Sequence, residues 1–117
     1  MLGLSRSQRV FAYPAPVDLR KGFDGLSHLV RWHLDKDPHS GDCYLFTNRS
    51  RRNAKVLVWD GTGLGIYAKR LEVGRFAALW TGQPGEPIAL TAPELALFLQ
   101  GCSLVGKVAL SPPEFSP

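Results

Sequence analysis

The chain has 117 residues, of which 44% are hydrophobic and 21% are charged. This composition is that of a globular protein and excludes an intrinsically disordered chain, and the length favours one domain. The net charge of +4 and the isoelectric point of 9.4 favour acidic partners such as nucleic acid, although charge informs about association rather than fold. Residues 1–11 (MLGLSRSQRVF) have no long apolar core, and no segment approaches the roughly 18 apolar residues that a membrane span needs. We therefore expect a cytoplasmic protein.

The first third of the chain predicts a strand followed by a helix. Residues 9–13 (RVFAY) are rich in β-forming residues, and the prolines close behind them end the strand. Asp18 stands where a helix N-cap is expected. From Phe23 to Leu34 apolar residues recur at steps of three and four, which is the period of one helix face. The segment 37–42 (DPHSGD) has the composition of a turn.

Three short segments in the middle of the chain predict an antiparallel meander. They are CYLFT (43–47), KVLVW (55–59) and LGIYAKR (64–70), all rich in β-branched and aromatic residues. The last two are joined by DGTG (60–63), and an Asp-Gly pair between two such runs is a strong hairpin signal.

The last third of the chain predicts a short strand and a second helix. Residues 81–87 (TGQPGEP) predict a loop, and 88–90 (IAL) predict the strand. Thr91 and Glu94 have the spacing of a capping box, which starts a helix. Gly101 is the expected stop of that helix.

These elements predict an α+β fold. A small antiparallel sheet of four to five strands, with the meander at its centre, packs against one main helix, and a short second helix lies near the C-terminus. We expect one domain over residues 1–103. Residues 104–117 are proline-rich, and we expect them to form a disordered tail.

Basic residues are concentrated at one predicted bend. In a meander, the link after strand 43–47 and the far end of strand 64–70 lie at the same edge of the sheet. Their charges can therefore form one surface, which gains affinity for phosphates through counterion release and the bidentate geometry of arginine. Trp59 and Tyr67 lie close in sequence, and aromatic rings among basic residues suit stacking on bases. Arg20 and Lys21 extend this surface if the first helix starts on the same side. The predicted nucleic-acid-binding residues are Arg49, Arg51, Arg52, Lys55, Lys69, Arg70 and Arg75.

Two other interpretations of the charged residues remain open. A solvated hairpin tip, with edge charges that discourage aggregation, explains the basic residues without a ligand. Two-metal phosphoryl chemistry needs acids that hold two ions about 3.5–4 Å apart. The spacing of Asp18, Asp24, Asp60 and Glu72 does not force such convergence. Asp18 is better explained as a cap, Asp60 as the first residue of a turn, and Glu72 as an ion-pair partner of Arg70 or Arg75.

The histidines and cysteines form no recognisable catalytic or metal-binding pattern. His28 and His33 are five residues apart, about 140° around an α-helix, so they are not expected to face one ligand, and His39 falls in a turn. Cys43 and Cys102 belong to no ligand motif, and the favoured interpretation is two buried free thiols. A disulfide between them stays open, because it depends on the distance between the two cysteines in the fold, which the sequence does not give. We expect no catalytic residue, no metal site and no cofactor.

Two runs of the sequence resemble signatures of the small accessory protein (TnpB, the second-reading-frame product) of the insertion sequence 66 family. They are VDLRKGFDGL (17–26) and FTNRSRRNAKVLVWDGTGLGIYAKRLEVGRF (46–76). The resemblance covers roughly residues 2–101, and departs from the family at AALW (77–80) and after Cys102. The matching positions in the longer run are Asn48, Arg49, Lys55, Trp59, Asp60, Gly61, Gly63, Lys69, Arg70, Leu71, Glu72, Gly74 and Phe76.

The resemblance implies an accessory, non-catalytic protein of bacterial insertion-sequence transposition. Its expected partners are DNA at the ends of the element and the transposase of the same element. Two rival hypotheses remain. In the first, the protein is an interaction module that binds the transposase without contacting DNA. In the second, it is a metal-dependent nuclease that uses Asp18, Asp24 and Asp60.

Overall fold

The computed structural model describes residues 8–80 and 86–101, together with the backbone of 104–105 and 108–109. Within these residues the fold is α+β, as the sequence predicted, with a main helix that continues into a π-helical segment and a short second helix. In chain order the elements are β1 (Val10–Ala12), α1 (Phe23–His28), the π segment (Leu29–His33), β2 (Cys43–Thr47), β3 (Asn53–Trp59), β4 (Leu64–Arg70), β5 (Ile88–Leu90), α2 (Ala92–Leu99), β6 (Leu104–Val105) and β7 (Val108–Ala109).

The first five strands form one sheet in the order β4-β3-β2-β1-β5. Strands β2, β3 and β4 are the antiparallel meander that the sequence predicted. The sheet as a whole is mixed rather than antiparallel, because β1 pairs parallel with β2 and antiparallel with β5. The helical connection between β1 and β2 explains the parallel pair, since it carries the chain back to the end where β1 began. Strands β6 and β7 pair antiparallel with each other as a separate ladder.

One face of the sheet packs against α2 and the segment 76–79. Phe98 of α2 stacks on Phe76, with ring centroids 5.0 Å apart, and both rings are fully buried. They belong to a core cluster that includes Leu45 of β2 and Val56 of β3. Burial of this kind contributes roughly 25 cal/mol for each Å² of apolar surface, so Phe76 firmly anchors the segment that follows β4.

The opposite face of the sheet packs against α1 and the π segment. Leu26 and Val30 are fully buried there, together with Phe46 of β2 and Leu57 of β3. Successive residues of a strand point to opposite faces. Lys55 therefore lies on the α1 face with Leu57, at the end of β3 where the chain enters the strand.

The start of α1 differs from the prediction. Gly22 is the N-cap, and no side chain in the described part of the chain caps the helix. Asp18, the expected cap, instead accepts a hydrogen bond from the backbone N–H of Arg20 at 3.0 Å. Its carbonyl accepts from Lys21 N–H at 3.2 Å, so a separate turn precedes the helix.

The end of the main helix also differs from the prediction. In the π segment the N–H of Leu34 donates to the carbonyl of Leu29 at 3.1 Å, an i→i+5 bond that widens the helical turn. The rings of His28 and His33 consequently lie with centroids 6.1 Å apart. The expected separation of about 140° around the helix was wrong, because it assumed α-helical geometry.

Two local predictions are confirmed in atomic detail. The Thr91 hydroxyl accepts from the N–H of Glu94 at 3.2 Å, while the Glu94 carboxylate accepts from the N–H of Thr91 at 2.8 Å. The predicted capping box therefore starts α2. The Asp-Gly turn joins β3 to β4, and Gly61 has a φ of +101°, a conformation that glycine adopts without a steric cost.

Several expectations fall on parts of the chain outside the described residues. These are most of the predicted loop 81–87, Cys102 and most of the predicted tail, so the domain boundary after residue 103 stays a prediction. Cys43 is a buried free cysteine, and burial raises its pKa to about 11. No helix in the described part of the chain is long and apolar enough to cross a membrane.

Candidate nucleic-acid interface

The turn between β2 and β3 is organised by the side chain of Asn48. Its carbonyl oxygen accepts hydrogen bonds from the backbone N–H groups of Arg52 and Asn53, both at 3.2 Å. The Asn48 backbone carbonyl accepts from Arg51 N–H at 3.0 Å, and Arg51 has a φ of +60°. The exposed Arg49 is thus carried on a turn of defined shape.

The segment after β4 folds back onto this turn. The N–H of Leu71 donates to the carbonyl of Arg52 at 2.9 Å, and the N–H of Phe76 donates to the carbonyl of Arg51 at 2.7 Å. Because Phe76 is anchored in the core, its exposed neighbour Arg75 is held beside the turn. We call the end of the sheet that contains the β2–β3 turn, the end of β4 and Arg75 the basic end.

A groove of about 870 Å³ opens at the basic end. Its walls are the segment 16–20 before α1, residues 48–50 of the turn, residues 53–55 of β3 and residues 68–70 of β4. Arg20 reaches this groove, as the sequence analysis allowed. The basic lining residues are Arg20, Arg49, Lys55, Lys69 and Arg70, and the acidic one is Asp18.

The remaining predicted residues lie at the same end but do not line the groove. Arg51 and Arg52 are part of the turn, and Arg75 adjoins it through the bond of Phe76. Lys21 contributes its backbone, since its carbonyl accepts from the Lys55 ammonium group at 3.3 Å. The structure thus brings the predicted basic residues to one end of the sheet, and their contact with nucleic acid stays a prediction.

Ion pairs neutralise only part of this charge. Arg70 pairs with Glu72 at 3.1 Å, and Arg20 pairs with Asp18 at 2.7 Å. Within the described residues, no ion pair involves the side chains of Arg49, Arg52, Lys69 or Arg75. These four charges are available to an external anion.

The Asp18 carboxylate is held tightly by Arg20. Its oxygens lie 2.7 Å from Nη2 and 3.0 and 3.1 Å from Nε of the guanidinium group, in addition to the bond from the Arg20 backbone. These hydrogen bonds hold the pKa of Asp18 well below its usual range. The groove therefore contains a carboxylate that stays ionised.

The aromatic residues do not join the groove. Tyr67 packs against the core cluster on the α2 face. Trp59 stands at the other end of β3, where its ring lies 4.6 Å from that of His39. Neither ring lines the groove, so the surface is suited to phosphates rather than to stacked bases.

The three acids of the nuclease hypothesis do not come together. Asp60 follows β3, roughly 16 Å along the strand from the groove residue Lys55 at about 3.3 Å per residue. Its carboxylate accepts from Thr62 N–H, the Thr62 hydroxyl and Gly63 N–H, while that of Asp18 is engaged by Arg20. In the described part of the chain, no three side chains of histidine, cysteine, aspartate or glutamate are grouped so as to hold a metal ion. The geometry therefore does not support a two-metal centre.

Sequence reasoning missed two features of the site. One is the structural role of Asn48, for which the preference of asparagine for bonds to nearby backbone was an available signal. The other is the Asp18–Arg20 pair, because the position of Asp18 before the helix predicts a cap instead. Aspartate two residues before an arginine is too common a pattern to have indicated this pair by itself.

Comparison with known proteins shows the family. Residues 8–108 match the family described as IS66 Orf2 like protein. The chain belongs to the IS66 Orf2-like family. Membership confirms the resemblance found in the sequence and associates the protein with insertion-sequence transposition. This family is not a known catalytic family.

Two relatives come from Sinorhizobium fredii. The chain is 38% identical to the uncharacterized protein y4jC over 76 residues, which is 65% of each chain. It is 34% identical to the uncharacterized protein y4hO over 101 residues, which is 86% of each chain. No solved structure matches the chain.

Proposed function

We propose that this protein is a non-catalytic accessory protein of bacterial insertion-sequence transposition, and that it binds DNA at the ends of the element through its basic end. The observation that carries the proposal is the groove, which is lined by basic residues from four separate segments of the chain. Membership of the IS66 Orf2-like family supports the role in transposition.

Backbone phosphates are the chemical groups that this surface fits best. Arginine binds a phosphate through two parallel hydrogen bonds, and each phosphate that is neutralised releases counterions. The exposed Arg49 and Arg52 lie on the turn, and Lys69 lies at the neighbouring end of β4. Because no aromatic ring of the described residues lines the groove, contacts to the backbone of a duplex are expected to outweigh stacking on single-stranded bases.

The test is duplex binding as a function of salt concentration. A variant with Arg49→Gln, Arg52→Gln and Lys69→Gln removes three charges whose side chains form no ion pair with described residues. We expect its affinity at low salt to fall by about ten-fold or more. The slope of log K against log salt should flatten by roughly 0.9 for each phosphate that the variant no longer neutralises.

A matched control removes three charges from the other end of the sheet. Arg9→Gln, Arg31→Gln and Lys36→Gln change the net charge equally, and should leave most of the affinity and slope intact. Terminal-repeat and random duplexes are compared in each case, since a preference for the repeat indicates base or shape readout. Equal losses of affinity in the two variants, or no binding near about 50 mM salt, would contradict the proposal.

A second candidate function is binding of the partner transposase without DNA contact. The observation in its favour is Trp32, which projects from the π segment with 69% of its surface exposed, on the same helix as the 49% exposed Phe23. Large exposed aromatic residues are typical of interaction sites. Co-purification with the transposase of the element tests this function. Loss of that complex on Trp32→Ala, with no duplex binding by the wild type, would favour it.

A further inference from the structure

The groove at the basic end already contains an anion, which is the Asp18 carboxylate. Both of its oxygens contact the Arg20 guanidinium, at distances of 2.7 to 3.1 Å. This is the side-on arrangement in which an arginine binds a carboxylate or a phosphate through two donors. Asp18 therefore occupies the position at Arg20 that a phosphate oxygen of a ligand would take.

The pair is open to exchange with an external anion. The Arg20 side chain is 92% exposed and that of Asp18 is 49% exposed, so neither partner is locked in place by packing. The Lys55 ammonium group reaches the carbonyl of the adjacent Lys21 at 3.3 Å. A second cation thus stands in the same part of the groove.

We propose that Asp18 is an internal competitor for the phosphates of DNA: it holds Arg20 in the free protein, and a backbone phosphate of a bound duplex displaces it. The inference rests on the proposed function and adds to it how this site is regulated. In the free protein, Asp18 holds the Arg20 guanidinium at the wall of the groove that both residues line. Binding exchanges one charge-assisted pair for another, so Arg20 contributes little to the net affinity of the wild type. The remaining negative charge of Asp18 weakens binding of polyanions that cannot also engage Arg49 and Lys69.

The test compares two variants that remove the same charge. Asp18→Asn keeps an oxygen that can accept from the Arg20 backbone but ends the competition for the guanidinium group. Its affinity for a duplex is expected to rise about two- to fivefold, the range set by one exposed ion pair. Its salt slope should stay close to that of the wild type, because Arg20 contacts a phosphate in both complexes. The control is Asp24→Asn, because Asp24 is exposed in the first turn of α1 and does not line the groove.

A double variant makes the test specific for Arg20. In an Arg20→Gln background the gain from Asp18→Asn should disappear, whereas a general effect of net charge would persist. The Arg20 Nε–H resonance of the wild type should also shift when duplex is added, because its partner changes from carboxylate to phosphate. Thermal unfolding of each variant checks that the fold is kept.

The outcomes separate this inference from the proposed function. Equal gains in affinity from Asp18→Asn and Asp24→Asn, or a gain that survives Arg20→Gln, would overturn the internal competitor while leaving DNA binding in place. If neither the wild type nor Asp18→Asn binds duplex at low salt, the proposed function and the inference both fail.

Discussion

Single polar side chains define the turns at both ends of β3. Asn48 accepts hydrogen bonds from two backbone N–H groups of the β2–β3 turn. Asp60 accepts from the N–H groups of Thr62 and Gly63 and from the Thr62 hydroxyl in the β3–β4 turn. Asparagine and aspartate favour such turns because their short side chains reach the backbone two or three residues ahead. Only the second turn uses an ionised group, so its stability should depend on pH.

Asp60→Asn is predicted to destabilise the protein at pH 7 and to matter less in acid. Hydrogen bonds from the N–H groups of Thr62 and Gly63 lower the pKa of Asp60 in the folded state. The stabilisation is fully present above the unfolded pKa of about 3.9, and it is lost as the pH falls through the lower folded pKa. Urea unfolding of both proteins at several pH values measures the difference in free energy of unfolding.

The control for this prediction is Asp24→Asn. The Asp24 side chain forms no hydrogen bond with any residue that the structure describes, so Asp24→Asn removes one carboxylate without removing a turn hydrogen bond and should destabilise the protein less at pH 7. A wild-type advantage over Asp60→Asn that stays constant from neutral pH to below pH 3 would contradict the assignment. It would mean that the Asp60 contacts do not depend on its charge.

At the scale of elements, α2 supports the basic end from the far face of the sheet. Its residue Phe98 stacks on Phe76, and the N–H of Phe76 donates to the turn carbonyl of Arg51. A chain of contacts therefore runs from the second helix to the β2–β3 turn. The position of Arg75 therefore depends on the stability of α2.

Thr91→Ala is predicted to destabilise the protein by about 1 kcal/mol, the usual effect of removing an N-cap side chain. The substitution leaves the N–H of Glu94 without its hydroxyl partner. Chemical denaturation followed by circular dichroism measures the decrease in stability, and Thr91→Ser, which keeps the hydroxyl, serves as the control. Equal stability of all three proteins would show that water replaces the cap without cost.

The elements that sequence analysis predicted best are those with local signals. The Thr91–Glu94 box and the Asp60–Gly61 turn have short-range hydrogen bonds that fix them wherever they occur. The parallel pairing of β1 with β2 depends instead on contacts between distant segments. The strand–helix–strand order was an available sign of it. The π segment had no comparable signal, because the same apolar spacing is typical of an ordinary α-helix.

The candidate site was predictable to a similar extent. Charges on the β2–β3 turn and at the end of β4 share an edge in any antiparallel meander, so sequence alone could bring Arg49 and Lys69 together. The groove could not be predicted, because its other wall is the segment 16–20, whose position follows from its packing. The same packing places Arg20 and Asp18 opposite the turn.

At the scale of the whole molecule, charge is separated along the strands of the sheet. Nine of the 14 lysine and arginine residues fall in the segments 20–21, 49–55 and 69–75, all of which contribute to the basic end. At the other end, Arg9 and Arg31 pair with Asp42 and Asp37, and Asp60 follows β3. Under the proposed function, this separation is expected to direct a polyanion to the basic end, and in the free protein it makes like charges repel each other.

The charge separation predicts that salt stabilises the free protein. Ions screen the repulsion among the nine basic side chains, since the Debye length falls to about 10 Å at 0.1 M salt. The melting temperature should therefore rise by roughly 2–5 °C between low and moderate salt, which corresponds to a gain of less than about 1 kcal/mol in the free energy of unfolding for a domain of this size.

In the Arg49→Gln, Arg52→Gln, Lys69→Gln variant the melting temperature should be higher at low salt and depend less on salt. In the Arg9→Gln, Arg31→Gln, Lys36→Gln variant it should not be higher, because Arg9 and Arg31 pair with Asp42 and Asp37. If both variants instead respond to salt as the wild type does, water already screens the basic end, and affinity for DNA would have to come from specific contacts rather than from the concentration of charge.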